Sequence, residues 1–475
     1  MVESISKPAP LNKYKRTKMI TTLGPSTDTY EEILAMLQAG ANGVRLNCSH
    51  GSLDEKAIQI THAKKAANAL AKPISIIMDL QGPKLRLGEF EGVISIKAGQ
   101  QLSFSYKSDF EESKIIPLQY DLSKKIKRGD RLFLKDGSLK TTVTSVHEKV
   151  IHTRAENSGT IIKNQGVNVP DTDFAGDVLT EKDKEDVSFG ASQQVDYIAL
   201  SYVQSKKDLN NLKNLLKNLG SSAKIIAKIE TKAAIDNLEE IIVESDAVMV
   251  ARGDLAVETL PESVPLNQRR IIALSRLHAK PTIVATQLLG SMTNASEPTR
   301  AEVSDVATAV LLGADCLMLS DETAIGKNPL RATTILKKVI IYTEQNTPEV
   351  HYEPPINTGR QSAIASAIIA LAKDVGASAI VAETKSGATA LHISARRPSL
   401  PIVAVTSSAT VANQLAIVYG IKSYLRPDDE QAAQKLTNWL HRNQILARGE
   451  VVVTCSGQYP GVVGTTDTIK VRVVE

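Results

Sequence analysis

The chain has 475 residues and a mass of 51.2 kDa, which at roughly 150 residues per domain suggests about three domains. The net charge of +4, from 56 basic and 52 acidic residues, argues against a nucleic-acid coat or a membrane-surface binder. Cys48, Cys316 and Cys455 lie far apart without a CxxC spacing, which disfavours a zinc site or a disulfide framework. The sequence has no signal-like segment and no apolar run as long as a membrane span, so we expect a cytoplasmic protein.

The first part of the chain alternates short apolar runs with helical patterns. Strands are predicted at Thr17–Leu23, Gly43–Cys48 and Ile74–Leu80, with helices from Tyr30 and over Ala57–Leu70. From about Arg86 to Pro170 the pattern changes to short β-rich runs without a helical period. This change predicts a separate all-β module.

The alternation resumes after this module. Five further strands are predicted at Tyr197–Val203, Lys224–Glu230, Ala247–Arg252, Thr282–Thr286 and Cys316–Ser320, with helical segments between them. Eight βα units predict an α/β fold of the TIM (β/α)8 barrel type, with the β module inserted after the third strand. The nearly continuous apolar character of the strands suits a sheet that is buried on both faces.

A segment rich in proline and polar residues at 346–359 predicts a linker. Strands and helices alternate again beyond it, which predicts a small open α/β domain. The predicted division is therefore a discontinuous barrel domain at 1–85 and 177–345, an inserted β-barrel-like lid at 86–176, and a C-terminal domain at 346–475.

Polar residues at the carboxyl ends of the barrel strands are the candidates for catalysis, because TIM barrels gather their active sites there. Glu230 and Asp254 follow adjacent strands, and such a carboxylate pair suits Mg²⁺ or Mn²⁺. Lys228 shares a strand face with Glu230, since side chains alternate with a period of two. Lys228 and Arg45 beside a metal favour phosphoryl transfer, although rim charges held in ion pairs remain the alternative. Backbone amides at Gly253 could bind an anion.

Seven motifs carry a resemblance to a known family. They are VRLNCSHG (Val44–Gly51), DLQGPKLR (Asp79–Arg86), AKIE (Ala227–Glu230), VARGDLAVE (Val250–Glu258), ATQLL (Ala285–Leu289), PTRAEVSDVA (Pro298–Ala307) and LSDETA (Leu319–Ala324). In this order and at these barrel positions they resemble the pyruvate kinases, and the resemblance covers nearly the whole chain. It implies a barrel with an inserted lid and a C-terminal α/β domain, commonly in a homotetramer. It also implies phosphate transfer from phosphoenolpyruvate to ADP, giving pyruvate and ATP.

The resemblance implies roles for the matching residues. Glu230 and Asp254 would hold the divalent metal, Lys228 would stabilise the transferring phosphoryl group, and Arg45 would bind the phosphate. Thr286 would contact the substrate carboxylate and help to protonate the enolpyruvate. The remaining residues are the backbone amides of Gly253 and Asp254 for the carboxylate, Ser201 lining the pocket, and Asn47, Ser49, His50, Arg86 and Lys182 near the nucleotide phosphates.

One departure from the family concerns the monovalent cation that many members use. Asn47, Ser49, Asp79 and the Leu80 carbonyl match the residues that hold it, but Lys84 stands where those members have glutamate. An ammonium group there would supply the positive charge of K⁺. We therefore expect activity that does not require K⁺; the alternative is a solvated surface lysine.

In the C-terminal domain, ETKSGATA (Glu383–Ala390) runs from a strand into a helix. Similar segments in the family bind allosteric phosphates, and Thr384, Lys385, Ser386 and Thr389 could cradle one here. A sugar monophosphate or AMP is the expected effector. The alternative is an ordinary helix N-cap.

Two other functions compete with this interpretation. A metal-dependent aldolase or lyase acting on pyruvate-type substrates also uses paired carboxylates, but the lid and Lys228 argue against it. A catalytically silent regulator would keep the fold, but Lys228, Glu230, Asp254 and Thr286 are all present. The sequence therefore favours the kinase.

Overall fold

The computed structural model describes residues 15–83, 85–135, 137–172, 178–347, 359–429, 431–457 and 466–475. The strands are β1 (Lys18–Leu23), β2 (Gly43–Asn47), β3 (Ser75–Asp79), β4 (Ile94–Ile96), β5 (Gln101–Tyr106), β6 (Ile116–Leu118), β7 (Arg131–Leu134), β8 (Leu139–His147), β9 (Val150–Ala155), β10 (Gly159–Ile161), β11 (Val167–Asn168), β12 (Tyr197–Leu200), β13 (Lys224–Ile229), β14 (Ala247–Ala251), β15 (Thr282–Ala285), β16 (Cys316–Leu319), β17 (Ala379–Glu383), β18 (Ile402–Thr406), β19 (Ile421–Leu425), β20 (Val451–Gly457) and β21 (Thr466–Val473).

The helices of the barrel and the lid are α1 (Tyr30–Ala39), α2 (Leu53–Ala69), α3 (Phe110–Ser113), α4 (Glu181–Ser192), α5 (Lys206–Asn218), α6 (Lys232–Asp236), α7 (Leu238–Glu244), α8 (Arg252–Glu258), α9 (Val264–Leu277), α10 (Arg300–Leu311), α11 (Asp321–Ala324) and α12 (Pro329–Asn346). The C-terminal domain has α13 (Arg360–Asp374), α14 (Ala388–Ser394), α15 (Ala409–Gln414) and α16 (Ala432–Arg442). No helix in these described ranges has the length and apolar character needed to cross a membrane.

Eight parallel strands close into a barrel in the order β1-β16-β15-β14-β13-β12-β3-β2. This confirms the predicted TIM barrel. Five of its helices, α1, α2, α4, α5 and α10, begin with a capping box, in which a Ser or Thr side chain and an acidic side chain three residues later bind each other's backbone amides. These local signals fix where the helices begin and so where the strand-end loops lie.

The chain leaves the barrel after β3 and returns at α4, forming the sheet-rich lid between them. A six-stranded sheet has the order β11-β7-β8-β9-β5-β6, and β10 pairs with β4. Buried aliphatic and aromatic side chains, among them Phe104, Leu132 and Val143, form a core of its own. The prediction of an all-β module misses only α3, a helical segment of four residues capped by Asp109.

The C-terminal sheet has the order β19-β18-β17-β20-β21, parallel except for the last strand. The open α/β fold predicted for this domain is confirmed. In this domain α15 ends at Gln414, and a 3₁₀ turn over Leu415–Ile417 follows it. Most of the predicted linker at 346–359 lies outside the described residues.

The C-terminal domain packs against the amino-terminal end of the barrel. Ile417 joins the apolar cluster inside the barrel, together with Ile20, Ile77 and Ile226. A Cβ added to Gly43 would lie 3.2 Å from Ile417 Cγ2, which shows how closely this side chain approaches the barrel wall. The C-terminal domain therefore covers the barrel interior at this end.

Candidate active site

The centre of the carboxyl end is Asp79, the last residue of β3, which is 1% exposed. Its Oδ2 accepts a hydrogen bond from Arg45 Nε at 2.7 Å, and its Oδ1 lies 3.2 Å from Lys228 Nζ. Burial alone would raise the pKa of Asp79, but Lys228 and Arg45 hold it below its ordinary value. Arg45 also donates to Thr22 Oγ1 at 3.2 Å, so both cations are fixed by the barrel wall.

Lys228, on β13, contacts residues at the carboxyl ends of three strands, β3, β12 and β13. Its ammonium donates to Ser201 Oγ at 2.6 Å and lies 3.3 Å from Glu230 Oε2. Ser201 in turn donates to the Leu80 carbonyl at 2.7 Å. Burial disfavours the charged lysine, but Asp79 and Glu230 raise its pKa above the ordinary value. Lys228 is therefore a fixed cation at neutral pH.

The two predicted metal ligands lie at the same end of the barrel. Glu230 is 1% exposed and accepts a hydrogen bond from the Tyr202 amide at 2.6 Å through Oε1. Its Oε2 is buried and accepts no hydrogen bond from the described residues. Burial, together with the charge of the half-buried Asp254, raises the pKa of Glu230 to about 7. A divalent cation fits this site, because it would compensate a buried carboxylate oxygen that lacks a donor.

Within the described part of the chain, no group of three or more His, Cys, Asp or Glu could hold a metal ion. Glu230 and Asp254 would therefore act as a pair. This suits Mg²⁺, which is commonly bound through one or two carboxylates, with substrate oxygens and water completing its coordination.

Thr286 follows β15 and faces the start of α8. Its Oγ1 accepts a hydrogen bond from the Gly253 amide at 2.9 Å. Its backbone is left-handed, with φ +66°, which is a genuine outlier for a β-branched residue. The Arg252 guanidinium holds the Thr286 carbonyl, a contact that the sequence reasoning did not find.

The residues predicted for the nucleotide side are only partly brought together. Ser49 follows Asn47 in the loop after β2, and its amide donates to Asn47 Oδ1 at 3.1 Å. Lys182, from the first turn of α4, reaches the same loop and donates to the Cys48 carbonyl at 3.0 Å. His50 is exposed. Arg86 is instead bonded within the lid, to the Asn164 carbonyl at 2.9 Å.

The residues that match the monovalent-cation site lie on neighbouring strands, since Asn47 of β2 is in register with Asp79 of β3. The Leu80 carbonyl already accepts from Ser201. Lys84, the predicted replacement for the cation, lies outside the described residues.

In the C-terminal domain, Lys385 donates to Ser407 Oγ at 2.7 Å and to Asp428 Oδ2 at 2.6 Å. Thr384 Oγ1 accepts from the Gly387 amide at 2.9 Å, and Thr389 bonds to Thr466. Ser386 Oγ lies 3.5 Å from the Ala388 amide. A small cavity beside Thr384 and Lys385 is also lined by Arg426, a cation that the sequence reasoning missed because it follows a strand 41 residues later.

The fold and the site together define a class: a TIM-barrel enzyme whose carboxyl end holds fixed cations beside paired carboxylates, an arrangement suited to phosphoryl transfer. The family model described as "Pyruvate kinase, barrel domain" matches residues 14–333. The model described as "Pyruvate kinase, alpha/beta domain" matches residues 362–472.

Relatives and a solved structure agree with these matches. Pyruvate kinase 2 of Synechocystis sp. is 40% identical, with 97% of this chain and 80% of the relative covered. Pyruvate kinase of Thermotoga maritima is 37% identical, with coverage of 97% and 100%. The crystal structure of a pyruvate kinase from Cryptosporidium parvum superposes with a TM-score of 0.91 at 31% identity, covering 98% and 97%. The chain belongs to the pyruvate kinase family, and it is a phosphotransferase.

Proposed function

We propose that this chain transfers the phosphoryl group of phosphoenolpyruvate to ADP and yields pyruvate and ATP. The observation that supports this most directly is Lys228. It is a charged ammonium on a side chain that is 12% exposed, and it lies within 3.3 Å of Glu230 Oε2, an oxygen without a hydrogen-bond donor. A cation beside a metal-binding carboxylate is suited to a phosphoryl group in transfer, where positioning and charge stabilisation supply most of the catalysis.

Each residue has a role in this proposal. Glu230 and Asp254 hold Mg²⁺, which when bound neutralises charge on the phosphoryl oxygens. Lys228 and Arg45 bind the transferring phosphoryl group, and Ser201 fixes the Lys228 ammonium through its hydroxyl. Because the Lys228 ammonium is held in place by protein groups, its charge can act on the phosphoryl group while the bond to the substrate oxygen breaks.

The remaining roles concern the substrate carboxylate and the nucleotide. The amides of Gly253 and Asp254 lie in the first turn of α8, where N–H groups without a partner in the helix favour an anion; the Gly253 amide must leave Thr286 Oγ1 to bind it. Thr286, held against Gly253, contacts the same carboxylate and assists protonation of the enolate. Asn47, Ser49, His50, Arg86 and Lys182 approach the ADP phosphates; Arg86 must leave Asn164 to do so.

An assay of pyruvate formation with phosphoenolpyruvate, ADP and Mg²⁺ tests the proposal, with omission of ADP as its control. We expect one ATP for each pyruvate. Pyruvate without ATP would indicate hydrolysis of phosphoenolpyruvate, and no turnover would indicate a silent regulator or an aldolase or lyase that acts on another substrate. Replacing Mg²⁺ by Mn²⁺ is expected to preserve activity, because both are bound by carboxylate and phosphate oxygens.

We also propose that activity does not require K⁺. The support is that Lys84 stands where family members that use the cation have glutamate, while Asn47, Ser49 and Asp79 match the residues that hold it. Equal rates in a sodium-free potassium buffer and in one containing only a large organic cation are expected. Strong activation by K⁺ would contradict the proposal.

Regulation by a phosphorylated metabolite, a sugar monophosphate or AMP, is proposed for the loop around Lys385. Hydroxyl groups, the cations Lys385 and Arg426, and the carboxylates Glu383, Asp428 and Asp429 line the small cavity there. Lys385 must leave Asp428 to bind a phosphate. A carboxylate introduced by Ser386→Asp is expected to abolish activation by charge repulsion. Ser399→Asp, at an exposed serine before β18, is the matched control. If Ser386→Asp left activation by every candidate phosphate unchanged, the site assignment would be wrong.

The assembly proposed for the chain is a cytoplasmic homotetramer with the three domains predicted above, at 1–85 with 177–345, 86–176 and 346–475. Family membership supports it. Sedimentation is expected to give a particle of four chains of 51.2 kDa each. A particle of one chain at micromolar concentration would contradict it.

A further inference from the structure

The Arg252 side chain links two strand ends of the active site. It begins α8, directly before Gly253, and it is 9% exposed. Its Nη2 donates to the Thr286 carbonyl at 2.6 Å, and its Nε lies 3.2 Å from the same oxygen and 3.3 Å from the Ala285 carbonyl. The planar guanidinium therefore holds two successive carbonyls where the chain leaves β15.

These carbonyls belong to a backbone in an unfavourable conformation. Thr286 has φ +66° and Gln287 has φ +53°, whereas L residues with a branched Cβ avoid this region. Such a conformation persists only where the surroundings determine it, and it is characteristic of functional sites. The Arg252 hydrogen bonds are the contacts that hold the Thr286 peptide in this orientation.

Two consecutive residues thus fix Thr286 from both sides. The side chain of Arg252 binds its carbonyl, and the backbone amide of Gly253 donates to its hydroxyl at 2.9 Å. The guanidinium is itself oriented by Asp305 of α10, whose Oδ2 accepts from Nη1 at 2.6 Å. A lysine could not reproduce this arrangement, because an ammonium lacks the planar fork of donors.

We propose that Arg252 is a positioning residue for the proton-transfer step of the reaction. This inference rests on the function proposed above for Thr286. After phosphoryl transfer the substrate remains as an enolate; its C=C electron pair takes up one proton at the methylene carbon, and the C–O bond becomes the carbonyl of pyruvate. Arg252 acts on this step by fixing the Thr286 backbone, which sets the direction of the hydroxyl, and it does not touch the transferred phosphoryl group.

The test separates the two halves of the reaction in the full-length enzyme. Exchange of the pyruvate methyl protons with D₂O, followed by NMR with Mg²⁺ and ATP present, reports the proton transfer. ATP formed in a single turnover from phosphoenolpyruvate, ADP and Mg²⁺ reports the phosphoryl transfer. For Arg252→Lys we expect methyl exchange at saturating pyruvate to fall by ~10²-fold, the effect of a misplaced catalytic group. Because Thr286 also contacts the substrate carboxylate, ATP formation is compared at saturating phosphoenolpyruvate, where we expect its rate to change by less than about threefold.

Asp305→Asn is the milder variant, because it leaves Arg252 in place and removes only its charged partner. It is expected to slow methyl exchange by less than Arg252→Lys does, without slowing ATP formation. It also provides the test if Arg252→Lys does not fold. The proposal is overturned if the folded variant slows both half-reactions equally, as a general structural defect would, or if it slows neither.

Thr286→Val distinguishes failure of this inference from failure of the function on which it rests. Loss of methyl exchange in Thr286→Val, with normal exchange in Arg252→Lys, would refute only the positioning role. Full methyl exchange in Thr286→Val would refute the proposed role of Thr286 and, with it, the reason for holding that residue in place.

Discussion

The two ends of the barrel both bury charged groups, but they treat them differently. At the amino-terminal end, Arg397 of the C-terminal domain donates to Asp315 Oδ2 at 2.6 Å and also to the Gly313 and Ser394 carbonyls. Asp315 accepts further from the amides of Thr282 and Tyr419. Every oxygen of this carboxylate therefore has a donor.

At the carboxyl end, two buried carboxylate oxygens lack a hydrogen bond. Glu230 Oε2 and Asp79 Oδ1 are buried and accept no hydrogen bond from the described residues, although each lies within 3.3 Å of the Lys228 ammonium. A buried polar atom without a partner costs free energy, and such atoms persist where a ligand completes them. The two sets of carboxylates therefore differ: Asp315 is fully hydrogen-bonded and joins two domains, whereas Glu230 and Asp79 each keep a buried oxygen without a hydrogen bond, as the proposed binding role would require.

The largest expected effect comes from removing Lys228, the cation at the carboxyl end of the barrel. Lys228→Met eliminates the charge that we propose stabilises the transferring phosphoryl group, so we expect kcat to fall by ~10³-fold or more. Lys224→Met is the control, because Lys224 begins the same strand at the amino-terminal end. Steady-state pyruvate formation measures both variants. Retained turnover in Lys228→Met would refute its assigned role.

Removing the buried Arg397–Asp315 ion pair at the amino-terminal end should reduce stability instead. Arg397→Ala leaves Asp315 buried without its cation, and removing one partner of a buried pair costs about 3–5 kcal/mol in the free energy of unfolding. The turnover of the molecules that remain folded is expected to change little. Arg396→Ala is the control, since Arg396 donates only to Ser362 within its own domain. Denaturant unfolding measures this difference, and equal losses in both variants would contradict it.

A smaller, pH-dependent effect is expected at Asp196, which precedes β12 at the amino-terminal end. Burial raises its pKa to about 7, although the Ile76 amide donates to it at 2.8 Å. Folding therefore takes up a proton between the ordinary pKa of 3.8 and about 7, and the carboxyl lowers stability as pH rises through that window. Asp196→Asn does not titrate, so its stability relative to the parent should increase by about 1–3 kcal/mol from pH 5 to pH 8.

Asp246→Asn is the matched control for this measurement. Asp246 precedes β14 and accepts from the Ile225 amide at 2.9 Å in the same manner, but it is only half-buried. Its variant controls for the loss of a carboxylate that accepts from a backbone amide. Chemical unfolding at several pH values decides the matter; a constant difference between Asp196→Asn and the parent would show that the burial of Asp196 has no such effect.

The sequence by itself determined the barrel, the lid insertion and the C-terminal domain. Side-chain patterns repeat every two residues in strands and every 3.6 residues in helices, so each can be recognised within a short segment of the sequence. The predicted strands consequently end within one to three residues of the observed ones: Thr282–Thr286 was predicted for β15 and Thr282–Ala285 is observed. The βα order then required Asp79, Lys228 and Glu230 to lie at one end of the barrel.

Only the tertiary structure decided which side chains meet. Arg252 and Asp305 are 53 residues apart, and Arg397 and Asp315 are 82 apart. Neither pair leaves a periodic trace in the sequence. The insertion of Ile417 into the barrel depends on the packing of two domains. Local patterns encode the conformation of a segment, whereas such contacts depend on strand register and on domain packing, which are settled only when the whole chain has folded.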